Sequence, residues 1–182
     1  MKLSDAGSDL DDSVLEAPAA QPLSTLSVYV NNKPGVLMRI CQVFSRRAYN
    51  IDSLVVSHGR NRAFSRMSIG VTGDPEGLHQ IIQQVNKLID VIHCVEHDSL
   101  DAIAKELALI KVKATPEESG EIVKLVSNFD CEIVDLTENS IIFMVHGDSE
   151  KTDWVLKLLA PYHITETIRS GKIVIAKTEL AT

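Results

Sequence analysis

From Leu23 onward the apolar residues run through one order of spacings, strand, helix, strand, strand, helix, strand, and then run through it again. In the first pass Leu26, Val28 and Val30 alternate with Ser27 and Tyr29, as one face of a strand requires. The break Asn31-Asn32-Lys33-Pro34-Gly35 follows, and Pro34 is expected in the first helical turn, where a missing N–H costs nothing. Val36, Leu37, Ile40, Cys41 and Phe44 recur at helical spacing, and Arg46-Arg47 put positive charge at the helix end, where the dipole favours it. A strand from Ile51 to Ser57, a polar turn His58-Gly59-Arg60-Asn61-Arg62 and a strand from Phe64 to Val71 come next. Asp74 and Pro75 read as N-cap and first residue of a helix whose stripe is Leu78, Ile81, Ile82, Val85 and Leu88. A strand from Val91 to His97 completes the unit.

The second pass opens with a strand from Leu107 to Val112. Thr115-Pro116-Glu117-Glu118 then starts a capped helix lined by Ile122, Val123, Val126 and Phe129. Strands from Cys131 to Leu136 and from Ser140 to Val145 flank the turn Thr137-Glu138-Asn139. Ser149 opens a helix bearing Trp154, Val155, Leu158 and Leu159, and Ile164–Ile168 with Ile173–Ile175 close the unit around Ser170-Gly171. Two such units imply an α+β chain of two ferredoxin-like βαββαβ domains, residues 23–99 and 100–182. Each domain, at about 75 residues with both helices on one sheet face, is marginal alone. Pairing into a homodimer is the simplest remedy.

Composition narrows the function classes. Hydrophobic residues make up 45% of the 182, enough for real cores, and with aromatics at only 4% those cores must be aliphatic. The net charge of -7 disfavours a phosphate-tracking nucleic-acid binder. Residues 1–22 set Asp5, Asp9, Asp11, Asp12 and Glu16 against Lys2 and show no apolar period, so a flexible acidic arm is expected there. That segment lacks the basic start and apolar stretch of a secretory signal, and no apolar run is long enough to span a membrane. Cys41, Cys94 and Cys131 are scattered and odd in number; each is expected in a core, in a reducing cytoplasm.

Enzyme motifs are missing: there is no Gly-x-Ser-x-Gly, no phosphate loop and no dinucleotide fingerprint. His93-Cys94-Val95-Glu96-His97 is the one stretch resembling a metal site, but a strand would turn the two histidines to one face and Cys94 and Glu96 to the other, so an ordinary strand end is expected. Arg60, Arg62 and Arg66 form a small basic patch, read as a solvated turn or else as an anion or partner contact. The glycine turn is the better signal. N–H groups at a helix start, including those of Gly35 and Val36, can hold a carboxylate at the positive end of the dipole. Asn32 could add a side-chain amide, Asn50 lies where the next strand begins, and asparagine can serve both the carboxylate and the ammonium of an amino acid. A plain turn is the alternative.

At these residues a resemblance enters. Leu26 to Leu37 resembles the opening of an ACT domain, and Phe44-Ser45-Arg46-Arg47-Ala48-Tyr49-Asn50-Ile51-Asp52-Ser53-Leu54 resembles the acetolactate synthase small-subunit pattern F-x-x-R-G-Y-N-I-E-S-L. Ser65 to Ile69, Gln84 to Val91, Glu106 to Val112, Ile133 to Leu136 and Arg169-Ser170-Gly171 match further, over residues 23 to 177. The resemblance implies a non-catalytic regulatory subunit in branched-chain amino-acid biosynthesis. Its partner would be the acetolactate synthase catalytic subunit, which uses thiamine diphosphate, Mg2+ and FAD. Such a subunit raises that partner's activity and confers feedback inhibition by valine, with leucine or isoleucine as alternative effectors. In the family the effector lies between paired ACT domains, which by matching position implies Asn32, Gly35, Val36 and Asn50 here. Ala48 departs from the family glycine and implies a strained positive φ; Asp52 replaces the usual Glu. The alternatives are a free-standing ACT-type amino-acid sensor with another partner and a small enzyme on a ferredoxin-like fold.

Overall fold

The computed structural model describes residues 23–97 and 100–177; the acidic arm expected at 1–22 lies outside them. The first unit consists of β1 (Leu23–Asn31), α1 (Val36–Arg46), β2 (Ile51–His58), β3 (Phe64–Thr72), α2 (Pro75–Asn86) and β4 (Val91–His97). Its antiparallel sheet has the order β2-β3-β1-β4. The register sets Leu26 opposite Ile69 and Val28 opposite Met67, so the alternating aliphatic positions of β1 and β3 share one face. Onto that face α1 lays Val36, Ile40 and Phe44, and α2 lays Leu78, Ile81 and Val85, all buried. Asp74 caps α2 as expected, its carboxylate accepting from Gly77 N at 2.7 Å.

The second unit repeats the plan with β5 (Ala102–Lys113), α3 (Pro116–Val126), a short 3-10 turn (Ser127–Phe129), β6 (Glu132–Leu136), β7 (Ser140–Gly147), α4 (Ser149–Leu159), β8 (His163–Arg169) and β9 (Ile173–Ala176). Ala108, Ile110, Val112, Ile141, Phe143 and Val145 face Ile122, Val126, Val155 and Leu159 in its core.

Two features differ from the sequence reading. β5 starts at Ala102 rather than Leu107, and its first residues pair with β9 rather than with the main sheet, Ala102 opposite Ala176 and Lys105 opposite Ile173. β5 thus serves the order β6-β7-β5-β8 along most of its length and a two-stranded ribbon at its start. The chain reverses into β9 at Gly171, whose φ of 80° favours glycine. This turn rests on β2, for a Cβ on Gly171 would lie 2.6 Å from Cβ of Ser53.

On the face turned away from the helices the register places Ser27, Ser53, Ser68 and Gly70 beside Tyr29, Val55 and Val95 in the first sheet, and Leu107, Leu109, Ile142, Met144 and the half-exposed Ile168 beside Lys111 in the second. Among the described residues no helix is long and apolar enough to cross a membrane.

Candidate functional site

The site grows from the end of β1. Asn31 N donates to Asp90 O (2.9 Å) and Asn32 N to Ala63 O (2.8 Å), so the strand is tethered on both sides just before the chain turns. The turn is Lys33-Pro34-Gly35-Val36, with Gly35 at φ 81°, ψ −4° and Val36 N 3.4 Å from Lys33 O. Proline second and a left-handed glycine third define a type II turn. Pro34 therefore lies ahead of the helix and not in its first turn: the left-handed residue after it must end the turn before α1 can begin at Val36. Gly35 is the N-cap of α1 and no side chain caps that helix, so beyond Val36 N, which closes the turn on Lys33 O, its leading N–H groups have no side-chain partner at the positive end of the dipole.

Beside the turn is a cavity of about 130 Å3. Its polar edge is Asn31, Asn32, Lys33 and Gly35; its aliphatic wall is Val30, Val36, Leu37, Val56 and Met67. Leu37 and Val56 are 37% and 45% exposed at the mouth. The sequence reading missed this wall apart from Val36. The alternation of Leu54 and Val56 on β2 was a usable signal, but only the pairing of Val56 with Met67 brings it to the turn.

Asn32 is at the site with its amide nitrogen already engaged, donating to Arg62 O (2.9 Å) and lying 3.3 Å from His58 Nδ1. That leaves the amide oxygen to accept, which suits an ammonium rather than a carboxylate. Asn50 is elsewhere. It follows α1, donates to Asp52 Oδ1 (3.0 Å), and lines a separate open hollow with Cys41, Phe44, Ser45 and Tyr49. The 11 residues of α1 separate it from Gly35, roughly 16 Å at helical rise. One copy of the chain brings Asn32, Gly35 and Val36 together and keeps Asn50 apart.

A carboxylate braces the turn from behind. Asp90, nearly buried, lies 3.1 Å from Lys33 Nζ and accepts from Arg39 Nη2 at 2.5 Å. The Lys33 hydrogen bond outweighs burial and holds the Asp90 pKa below its ordinary value.

Other candidates resolve differently. His93 packs on Tyr29 with ring centroids 5.5 Å apart, and His97 Nε2 is 2.6 Å from Ser27 Oγ. Cys94 is buried in the opposite, core face, and burial pushes its thiol up to about 12. The described residues contain no group of three His, Cys, Asp or Glu side chains placed to hold a metal. Arg66 lies over the Tyr29 ring (5.4 Å), while Arg60 and Arg62 are exposed. A larger hollow of about 520 Å3 between the first sheet and the β5–β9 ribbon is lined by Lys105, Lys172 and Lys177 with Glu96 and Asp148. Helix-start N–H groups, an amide oxygen and an aliphatic wall converge at the cavity beside the glycine turn.

Residues 26–93 match the family model described as "AHAS small subunit-like ACT domain", and residues 105–178 match "Small subunit of acetolactate synthase". The chain belongs to the acetolactate synthase small-subunit family. It is 41% identical over 156 residues to the acetolactate synthase small subunit of Mycolicibacterium smegmatis, covering 86% of this chain and 92% of that one. A protein of Archaeoglobus fulgidus named as a probable acetolactate synthase small subunit is 42% identical, with 84% and 96% covered. The crystal structure of the Thermotoga maritima small subunit superposes with a TM-score of 0.77 at 31% identity, over 87% of this chain and 99% of that one. Within the small-subunit family pattern, Ala48 has the positive φ that its departure from glycine implied, 55°.

Proposed function

We propose that this chain is the regulatory subunit of an acetolactate synthase, catalytically silent itself, acting on a cytoplasmic catalytic subunit that carries thiamine diphosphate, Mg2+ and FAD. The chain raises that subunit's activity and delivers feedback inhibition by valine, with leucine and isoleucine as weaker or alternative effectors. One observation carries the reading: an uncapped helix start at Gly35–Val36 opens onto a cavity walled by Leu37, Val56 and Met67. The N–H groups suit a carboxylate, the Asn32 oxygen an ammonium and the wall a branched aliphatic side chain.

The separation of Gly35 from Asn50 gives the site a second requirement. A ligand that uses both must take Gly35, Asn32 and Val36 from one copy and Asn50 from another, so the effector site belongs to a homodimer. Binding there favours one dimer geometry by its differential affinity, and the catalytic subunit responds to that geometry.

The test is titration calorimetry of the full chain with valine, leucine, isoleucine and serine, followed by mixing variants. Gly35→Asp and Asn50→Ala chains should each fail to bind valine. Refolded together in equal amounts, they should recover binding at about a quarter of the wild-type stoichiometry, because about half the dimers are mixed and each mixed dimer keeps one intact pair of its two. Serine binding as well as valine would sink the aliphatic assignment, and no recovery on mixing would sink the shared site.

A further inference from the structure

Two cations share one carboxylate at the glycine turn. Asp90 is the only partner the structure gives the Lys33 ammonium, at 3.1 Å, and it also takes the Arg39 guanidinium. Its side chain is 10% exposed, against 64% for Lys33 and 42% for Arg39. The buried anion is therefore fixed, and both cations reach from it toward solvent beside the turn. Lys33 lines the cavity, and Arg39 Nη1 lies 3.5 Å from where a Cβ on Gly35 would stand. The cluster carries one unit of positive charge more than Asp90 cancels, next to N–H groups that already favour an anion.

We infer that Lys33 and Arg39, positioned by Asp90, read the carboxylate charge of the effector, so that the site selects a free α-carboxylate over a neutral derivative with the same side chain. The inference rests on the effector reading above and adds to it a source of charge selectivity beyond the helix dipole. Backbone N–H groups also donate to the oxygen of an amide, and prefer the carboxylate only through the dipole and charge assistance. A fixed excess charge does not treat the two alike. In the absence of ligand Asp90 keeps both cations from folding away into solvent, and a bound carboxylate would give the pair a second anion without displacing the first. Asp90 is thus a positioning residue, tied also to the end of β1 through Asn31 N.

The experiment compares valine with valinamide, which keeps the side chain and the ammonium and lacks the charge. Titrations use the full chain, wild type against Lys33→Gln, Arg39→Gln, the double variant and the charge-keeping Arg39→Lys. The wild type should prefer valine. Each neutral substitution should lower the valine-to-valinamide ratio by about three- to tenfold, the size expected for one charge a few ångströms away at a partly exposed site. The double variant should lower it further, valinamide affinity should stay within about twofold, and Arg39→Lys should keep the ratio. Added salt should erode the wild-type preference. Valine and valinamide affinities falling in parallel would overturn the inference and leave the cluster a packing role, as would an unchanged ratio in both single variants. A wild-type chain that binds neither compound would overturn the effector reading itself, and this inference with it.

Discussion

The first helix of the N-terminal unit begins at a left-handed glycine with no side chain on its leading N–H groups. The first helix of the C-terminal unit begins at Thr115, whose hydroxyl accepts from Glu118 N while the Glu118 carboxylate accepts from Thr115 N at 2.8 Å. These turns hold equivalent places in the repeat. In α3 the anion that satisfies the helix dipole comes from the chain itself, a capping box that shuts the position to outside carboxylates. In α1 no side chain takes that place, and on the proposed reading an effector would. The hollow beside Thr115 is lined by Glu118 as well as Lys113, whereas the one beside Gly35 is lined by Lys33 and no carboxylate. On the proposed reading, one repeat has a helix start open to an amino acid, while in the other the chain's own side chains occupy the matching start.

The ion clusters differ in the same sense. Asp90 lies beside the open turn, while the buried Glu106 takes Arg169 Nη2 at 2.5 Å and Ser149 Oγ at 3.1 Å inside the second unit, with Arg169 also bound to Asp153. The first cluster borders the cavity beside the glycine turn and the second joins β5, β8 and α4.

The largest effect that could break this comparison is Gly35→Asp. It forces a side chain into φ 81° and places a carboxylate where the effector's own would sit. Valine binding should fall more than about a hundredfold in calorimetry, while urea unfolding should show a loss of no more than about 1 kcal/mol, since Asp tolerates the left-handed backbone better than most residues. Retained binding would mean that the turn is not the site. Next in size is Arg169→Met, which strands Glu106 in the second core. Removing one partner of a buried pair costs about 3–5 kcal/mol, and Arg169's partial exposure should bring the loss to roughly 2–3 kcal/mol. The valine isotherm should not change where the protein remains folded, and a shifted isotherm would show the two units to be coupled.

Smaller again is the opening of the second helix start. Thr115→Ala with Glu118→Ala removes both halves of the capping box and should cost about 1–2 kcal/mol in urea unfolding. No valine site should appear, because the aliphatic wall and the paired cations belong to the first unit alone. A second binding event in the titration would mean that the cap, rather than the wall, decides which repeat senses.

Much of this contrast could be read before any coordinates. Thr115, Pro116 and Glu118 announce their cap through local chemistry, as do Asp74 and Pro75. Core faces follow from alternation alone. What escaped reading depends on contacts distant in sequence. The pairing of Ala102–Lys105 with β9 has no local signal, since a strand edge does not encode which strand returns to it. Val56 reaches the cavity only through its register with Met67. The family resemblance grouped Asn50 with Gly35 between paired domains, and within one copy the length of α1 parts the two. The Pro34 placement erred for a different reason: proline suits a type II turn as well as a helix start, and the glycine after it decides between them.

The ends of the two equivalent helices give the finest comparison. After α1, Tyr49 N donates to Phe44 O and Ala48 N to Ser45 O, both at 3.1 Å, the Schellman pattern with alanine at the left-handed position that glycine usually fills. After α3 and its 3-10 turn, Asp130 takes the matching left-handed place, φ 47° against 55° for Ala48. Asp tolerates this region better than Ala because its short polar side chain can hydrogen-bond locally. Ala48→Gly should therefore raise stability by about 0.5–1 kcal/mol, the relief of backbone strain exceeding the added freedom of the unfolded chain, while Asp130→Gly should gain little. Urea midpoints of the two variants measured side by side decide it. Equal gains would mean that side-chain chemistry does not distinguish the two turns. A gain at Ala48 accompanied by weaker valine binding would mean that the strained alanine helps to aim Asn50, two residues on, toward the effector.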